Sequence, residues 1–274
     1  MKALVSANEL ASLLQSSADV LLLDCRMDLM NPEKARERYT EGHIPGAHFL
    51  SLETDLSGPK TPGSSRHPLP SREALAAIYS SLGITPTTTV VTYDDTDHAG
   101  AARGWWLLKW MGHEGAFVLD GGLNAWKTAG EKLDSAAPKA RRATSFVVRA
   151  GDRLTARFDE KVPLLVDSRA PERYRGDVEP IDPVAGHIPG ARNFFYKQLL
   201  AADGRFKPMD EVLSLFEAFA PMEALKNSIF YCGSGVTACV NLLALEACGI
   251  GMPRLYPGSW SEYCQDRARP VERG

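Results

Sequence analysis

Cys232 opens the hexapeptide CGSGVT directly after the apolar, strand-like segment SIFY. Gly233 and Gly235 allow the tight backbone angles of a compact loop, and the segment VTACVNLLALEACG predicts a helix that starts at Val236 and ends at Gly249. The N–H groups of such a loop and the positive end of a helix dipole stabilise an anion. We therefore expect Cys232 to ionise more readily than a free cysteine, and its loop to cradle one additional sulfur atom. This pattern predicts nucleophilic attack by a thiolate.

The other four cysteines lie within segments that predict strands or helices and have no glycine loop: Cys25, Cys239, Cys248 and Cys264. A cysteine in such a place usually behaves as a small buried apolar residue. Cys239, two helical turns after Cys232, could also resolve an oxidised state of that cysteine. The chain has no CxxC pair that would predict a zinc site. The odd number of cysteines, together with an N-terminus that lacks the features of a signal peptide, favours reduced thiols and a cytoplasmic location.

The elements that must position Cys232 follow from an internal repeat. LLLDCR at residues 21–26 returns as LLVDSR at 164–169, and GHIPGA at 42–47 returns unchanged at 186–191. The offsets of 143 and 144 residues are too long for a solenoid repeat and predict two homologous domains. We place the first domain at residues 1–135, a small, polar and basic linker at 136–155, and the second domain at 156–274.

Each half alternates short apolar, β-branched runs with segments of helical periodicity. This alternation is typical of the α/β class, in which parallel strands are joined by helices. Ligands of such sheets bind beyond the carboxyl ends of the strands, which is where Cys232 is expected.

Composition excludes several function classes. The net charge of −3 gives no overall field for nucleic acid or an anionic membrane, and the longest apolar run is far shorter than a membrane span. The chain has no P-loop, no GxGxxG after a strand and no HExxH, so we expect no cofactor and no metal site.

The D-x-R strand ends, the GHIPGA segments, the cysteine loop and the GSW segment at 258–260 resemble the tandem rhodanese-type sulfurtransferases over nearly the whole chain. The resemblance implies two rhodanese-like domains, each with a parallel sheet flanked by helices. It also implies that the cysteine accepts sulfur from a small-molecule donor as a persulfide and passes it to a thiol or cyanide in a second half-reaction. Thioredoxin is a candidate protein acceptor.

The loop CGSGVT resembles the 3-mercaptopyruvate branch, because thiosulfate enzymes usually carry basic residues where Gly233 and Ser234 stand. That branch commonly has a second substrate arginine where this chain has Ile181 and Asp182, which keeps thiosulfate open as the donor. A non-catalytic module for binding or sulfur relay is a further alternative. The sequence argues against a cysteine phosphatase, because such an enzyme needs the arginine of C-x5-R and this chain has Ala238 at that position.

The resemblance also implies a set of site residues. Ser234 would polarise a carbonyl or relay a proton, and Glu53 of the first domain would complete that relay, with Asp55 close by. Arg173 would hold the anionic group of the donor, and Arg175 is a weaker candidate for that task. The remaining substrate-binding residues are expected in the first-domain segment RHPLP and in the cysteine loop: Arg66, His67, Gly233, Gly235, Val236 and Thr237.

The first domain is expected to be catalytically silent, because the repeat aligns Asp94 with Cys232 and a carboxylate cannot form a persulfide. His43 and His187 occur in both GHIPGA copies, so we expect structural roles for them. The tryptophans of the first half are expected in the core or between the domains: Trp105, Trp106, Trp110 and Trp126.

Overall fold

A computed structural model describes residues 3–149 and 152–274, and it contains two parallel sheets flanked by helices. The elements of the first half are β1 (Leu4–Val5), α1 (Ala7–Gln15), β2 (Val20–Asp24), α2 (Pro32–Glu41), β3 (His48–Phe49), α3 (Arg72–Ser81), β4 (Thr89–Tyr93), α4 (Ala99–Trp110), β5 (Ala116–Leu119) and α5 (Gly122–Thr128).

The second half repeats this plan with shorter strands. Its elements are β6 (Leu165–Asp167), α6 (Pro171–Arg175), β7 (Arg192–Asn193), α7 (Met209–Phe219), α8 (Met222–Lys226), β8 (Ile229–Tyr231), α9 (Ala238–Ala247), β9 (Arg254–Leu255) and α10 (Ser259–Tyr263), with 3-10 turns at Asp152–Leu154 and Tyr196–Leu199. The predicted α/β class with two repeated domains is confirmed.

All strand pairs are parallel, in the order β1-β5-β4-β2-β3 in the first sheet and β7-β6-β8-β9 in the second. The central strands are continuous apolar runs rather than alternating ones, because helices cover both faces of each sheet. In the second sheet Asp167 pairs with Tyr231, so β6 and β8 end side by side. The loop that begins at Cys232 therefore leaves the sheet at its carboxyl edge.

The repeated D-x-R and GHIPGA segments stabilise the ends of these strands. Arg26 is buried, donates to both carboxylate oxygens of Asp24 and also reaches the Gly42 carbonyl oxygen at 2.9 Å. Arg169 repeats this with Asp167 and the Gly186 carbonyl oxygen at 2.7 Å. The repeated D-x-R and GHIPGA segments therefore hold each other.

The two histidines of the GHIPGA segments are structural, as expected. His43 stacks on Tyr39 at 4.1 Å and His187 stacks on Tyr174 at 3.7 Å, measured between ring centroids. The Nδ1 atom of each histidine is within hydrogen-bond distance of the carbonyl oxygen of the tyrosine on which it stacks. These contacts fix each histidine ring against a tyrosine of the preceding helix.

The two halves pack through α4 and α9. Both helices are apolar on nearly every side, which is typical of helices that are covered all round. Trp105 and Trp106 are fully buried on α4, and Trp110 and Trp126 are also buried, in agreement with the predicted core role. One apolar cluster includes residues of both halves, so the halves share a core.

The predicted linker at 136–155 contains no strand or α-helix over its described residues, and it runs along the first half. Thr144 donates its N–H to the Ser80 carbonyl oxygen at 2.9 Å, and the Phe146 ring packs edge-on against Tyr79. Within residues 3–149 and 152–274, no helix has the length and apolar character needed to span a membrane.

Candidate active site

Cys232 follows β8 directly, and its loop is fastened to α10. The side chain is 1% exposed. Its N–H donates to Ser259 Oγ at 3.1 Å, and its carbonyl oxygen accepts from the Trp260 N–H at 3.0 Å. The Gly233 carbonyl oxygen accepts from the Ser261 N–H at 2.8 Å. The GSW segment therefore covers one side of the cysteine loop.

The cysteine loop separates Cys232 from the start of the following helix. The sequence predicted a helix that starts at Val236, but α9 begins at Ala238, so residues 233–237 separate it from Cys232. Over the described chain, no residue accepts a hydrogen bond from the backbone N–H groups of 233–237. Consecutive N–H groups without partners form a concave site for an anion such as a thiolate or the outer sulfur of a persulfide.

Gly235 and its neighbours shape this loop. Gly235 has a φ of +75°, and a Cβ there would lie 2.5 Å from the Pro257 carbonyl oxygen, so only glycine fits. Val236 is buried in the shared core, and Thr237 is half-buried immediately before α9. The side chains of Val236 and Thr237 pack against the protein. The backbone N–H groups of the loop are therefore the groups that can contact a ligand.

A hydrogen-bonded chain connects the cysteine loop to the first half. His67 Nδ1 is 2.7 Å from Ser234 Oγ, and His67 Nε2 is 3.0 Å from Glu53 Oε1. The other carboxylate oxygen of Glu53 accepts from Lys60 at 2.9 Å. A serine, an imidazole and a carboxylate in this order can hold or move a proton at Ser234 Oγ.

Burial sets the protonation of this chain. It lowers the pKa of His67 to about 4, an effect that outweighs the opposing attraction of Glu53. Partial burial raises the pKa of Glu53, but the Lys60 hydrogen bond and His67 overcome that effect, so the carboxyl group is ionised at neutral pH. A neutral imidazole beside a carboxylate carries its proton on Nε2, which leaves Nδ1 to accept the Ser234 hydroxyl.

The resemblance implied all three of these residues, with His67 as a substrate-binding residue and Glu53 as the acid that completes the relay from Ser234. The structure places His67 between them. Asp55, the neighbour of Glu53, accepts from the Ser51 N–H at 2.8 Å and stays within its own turn.

Arg66 and Arg173 come from different halves and meet above Gly233. A Cβ on Gly233 would lie 2.9 Å from Arg66 Nη2 and 3.6 Å from Arg173 Nη1. The Arg66 N–H donates to Ser261 Oγ at 3.1 Å, which fixes its segment to α10. Arg175 does not join them, because its side chain is largely exposed and pairs with Asp177 at 2.8 Å.

Asp182 bridges the two arginines. One of its carboxylate oxygens pairs with Arg66 Nη1, and the other is 3.2 Å from Arg173 Nη2. Arg173 also pairs with Glu179 at 2.6 Å. The sequence identified Asp182 only as the place of an absent arginine and did not predict that it would contact the arginines that are present.

Arg103 is a site residue that the sequence motifs did not reveal. It lies on α4, is fully buried, and donates to the Gly235 carbonyl oxygen at 2.9 Å and to the Leu56 carbonyl oxygen at 3.2 Å. Burial lowers the pKa of Arg103, while the nearby Cys239 and Cys232 thiols oppose that effect. An arginine inside the apolar run AGAARGWWLLKW was the available signal, because a buried arginine needs several acceptors.

The loop of the first half that corresponds to the cysteine loop holds Asp94. Its carboxylate is buried and accepts from the N–H groups of Thr96 at 3.2 Å and Ala101 at 3.0 Å. Burial raises the pKa of Asp94 to about 7. The next residues of this loop are covered by the second half, where the Tyr196 hydroxyl donates to Asp97 at 2.6 Å and the Phe206 ring stacks on His98 at 4.9 Å.

The remaining cysteines are packed as apolar residues. Cys25, Cys239 and Cys264 are buried, and Cys248 is half-buried. Burial raises the pKa of the Cys239 thiol to about 12, and its Sγ lies 3.5 Å from the Gly235 carbonyl oxygen. Cys239 therefore lies behind the cysteine loop as a neutral thiol.

Comparison with known proteins agrees with this arrangement. Residues 6–129 and 151–266 each match the family described as "Rhodanese-like domain". A Pseudomonas aeruginosa protein named "Probable 3-mercaptopyruvate sulfurtransferase" is 45% identical over 99% of this chain and 98% of its own length. A Mycobacterium tuberculosis protein named as a putative thiosulfate sulfurtransferase is 41% identical over 99% of this chain and 97% of its own.

Among solved structures, the 3-mercaptopyruvate sulfurtransferase from Leishmania major superposes with a TM-score of 0.88 at 32% identity. The match covers 98% of this chain and 76% of the Leishmania chain.

Proposed function

This chain belongs to the rhodanese family, in the 3-mercaptopyruvate branch of its sulfurtransferases, and we propose that it moves sulfur from 3-mercaptopyruvate to a thiol or cyanide through a Cys232 persulfide. The enzyme class rests on relatives that match along nearly the whole chain. The donor, the persulfide and the acceptor are the parts that this proposal adds.

The observation that carries the choice of donor is the Ser234–His67–Glu53 chain beside the cysteine loop. When the Cys232 thiolate attacks the sulfur of mercaptopyruvate, an S–S bond forms and the C–S bond breaks. The carbon product is the enolate of pyruvate, which must take up a proton. Thiosulfate would release sulfite, a stable anion that needs no proton. A buried proton relay is therefore useful to the first donor and unnecessary for the second.

The charged and polar groups around the loop suit the rest of the reaction. Arg66 and Arg173 can hold the donor carboxylate next to Gly233. The N–H groups of 233–237 can stabilise the outer sulfur of the persulfide. In the second half-reaction a thiolate or cyanide attacks that sulfur, the S–S bond breaks, and Cys232 leaves as a thiolate. A protein thiol such as that of thioredoxin is an acceptor of the required chemistry.

Thiosulfate is the second candidate donor. Two arginines can bind a sulfonate group as well as a carboxylate, and the relative from Mycobacterium tuberculosis carries a thiosulfate name. A non-catalytic relay module has less support, because the loop, the relay and both arginines are all present.

The first test is intact-mass analysis after incubation with 3-mercaptopyruvate. The wild-type chain is expected to gain about 32 Da, the mass of one sulfur atom, and to lose it when cyanide is added. Cys232→Ser should gain nothing. Cys248→Ser should behave as the wild type, since Cys248 is more exposed than Cys232 but lies away from the loop.

Failure to form an adduct with either donor would exclude the persulfide proposal. A kcat/KM for thiosulfate that exceeds the value for mercaptopyruvate would retain the persulfide and overturn the choice of donor.

A further inference from the structure

Asp182 is a buried carboxylate in the place where a donor anion has to bind. Its side chain is 3% exposed, and each of its oxygens pairs with one of the two arginines, Arg66 and Arg173, that flank Gly233. A donor that reaches Cys232 therefore meets guanidinium groups that already have a carboxylate partner.

The wider cluster is electrically balanced. Arg66, Arg169 and Arg173 are its guanidinium groups. They share three carboxylates, those of Asp167, Glu179 and Asp182. The arginines thus offer hydrogen-bond donors for an anion but no excess of positive charge.

Asp182 is held in this position from both sides. Its own N–H donates to Glu179 Oε1 at 3.1 Å, and the Val184 carbonyl oxygen accepts from the Trp260 indole at 2.9 Å. Glu179 and Val184 thus hold the segment on either side of Asp182. We expect this segment to keep the Asp182 carboxylate near the arginines while a donor binds.

We propose that Asp182 is a specificity-determining residue, whose fixed charge disfavours a doubly charged donor such as thiosulfate relative to a singly charged 2-oxo acid thiol. This inference rests on the proposed function. The repulsion between two charges grows with their product, so the penalty for a dianion at one distance is twice that for a monoanion. The guanidinium groups attract a dianion more strongly as well, and the Asp182 charge offsets part of that advantage; its removal therefore relieves a dianion more than a monoanion.

Asp182→Asn keeps the shape of the side chain and removes its charge. We expect the ratio of kcat/KM for thiosulfate to kcat/KM for mercaptopyruvate to rise about five- to tenfold, the size expected for one partly screened unit charge. Asp177→Asn is the matched control, because it makes the same change of net charge at an exposed residue that pairs with Arg175. The control should leave the ratio unchanged.

An unchanged ratio in Asp182→Asn, or an equal loss of kcat/KM for both donors, would show that Asp182 only positions the arginines. Both results differ from failure of the proposed function, in which the wild-type chain itself forms no persulfide with either donor.

The proposal can also be tested on the wild-type protein, so that the test does not depend on whether Asp182→Asn folds. Pyruvate and sulfate present one and two negative charges, and each can be tested for protection of Cys232 against iodoacetamide. Half-maximal protection at a lower concentration of pyruvate than of sulfate supports the proposal. Any other order contradicts it.

Discussion

At the scale of single residues, His67 links two groups that lie far apart in the sequence. It is 167 residues from Ser234 and 14 residues from Glu53, yet it contacts both. Only the folded interface between the halves makes this geometry, and the 4% exposure of His67 makes it a neutral imidazole.

Replacing His67 should show how much the proposed relay contributes to kcat. His67→Gln is expected to lower kcat with mercaptopyruvate by about 10²- to 10⁴-fold, with a smaller change in KM, because glutamine can hydrogen-bond but cannot accept a proton. Steady-state kinetics with both donors would measure this. His48→Gln, a change at a half-buried histidine on β3, should leave kcat unchanged. Equal losses with thiosulfate and mercaptopyruvate would contradict a relay that serves the enolate.

The pKa of His67 also sets the pH range in which the proposed relay can work. As the pH falls toward about 4, His67 takes up a proton and can no longer accept the Ser234 hydroxyl. The lowered pKa therefore keeps the relay in its neutral form at pH values where an ordinary histidine is already charged.

The sequence identified most of the residues at this site but not their pairing. Cys232 follows from its loop, whereas Ser234, Glu53, Arg66 and Arg173 follow from the resemblance to the family. The order of the relay and the Asp182 bridge depend on distances between side chains across the interface. Sequence motifs do not give such distances.

At the scale of elements, the cysteine loop is held in shape by contacts with the segment before and within α10. Ser259 has a φ of +53°, an unusual value for a serine, and its hydroxyl accepts from the Cys232 N–H and donates to the Tyr256 carbonyl oxygen. Such strain persists where surrounding contacts enforce it, and it is common at functional sites.

Gly235→Ala tests the shape of the loop. It combines a positive φ with a clash against the Pro257 carbonyl oxygen, so we expect a loss of about 2 kcal/mol or more in unfolding free energy and at least a tenfold loss of kcat/KM. Gly249→Ala is the control, since Gly249 has the same φ of +75° but open space where a Cβ would lie. It should cost about 1 kcal/mol and leave kcat/KM unchanged. Urea unfolding and donor kinetics would separate the two, and full activity in Gly235→Ala would show that the loop tolerates another shape.

Helix and strand types were largely predictable, because the helical and apolar patterns are long enough to distinguish the two. The start of α9 was not, since VT at 236–237 is compatible with a helix, while the turn at Gly235, with its φ of +75°, delays the helix to Ala238. The letters of the repeat predicted the two-domain α/β fold, and the exact domain boundaries stay a prediction.

At the scale of the whole molecule, the two halves have the same fold but different residues at the equivalent loop. The first half has Asp94 where the second has Cys232, and residues 196–206 of the second half cover the Asp94 loop. The sequence predicts a silent first half from Asp94 alone, and this stays a prediction. The covering contacts could not be read from it, because a repeat does not specify how its copies dock.

Restoring a thiol in the first half should therefore not restore chemistry. In a Cys232→Ser background, Asp94→Cys is expected to show no 32-Da adduct with either donor, because the loop is covered and no serine–histidine hydrogen bond lies beside it within residues 3–149 and 152–274. Intact-mass analysis checks this, with the single variant Asp94→Cys as the control that should still carry one sulfur on Cys232. A sulfur adduct in the double variant would mean that the missing cysteine alone explains the silence.

The contact between His67 and Ser234 has a consequence for protein synthesis. The 167 residues between them take about 8 to 33 s to translate at ordinary ribosomal speeds, and during that time the emerging chain contains the histidine and glutamate without their serine or the cysteine. The nascent chain thus holds no nucleophile of this site. Under the proposed function, sulfur transfer through Cys232 can begin only once translation is nearly finished, and the proposed relay forms only when the second half has docked onto the first.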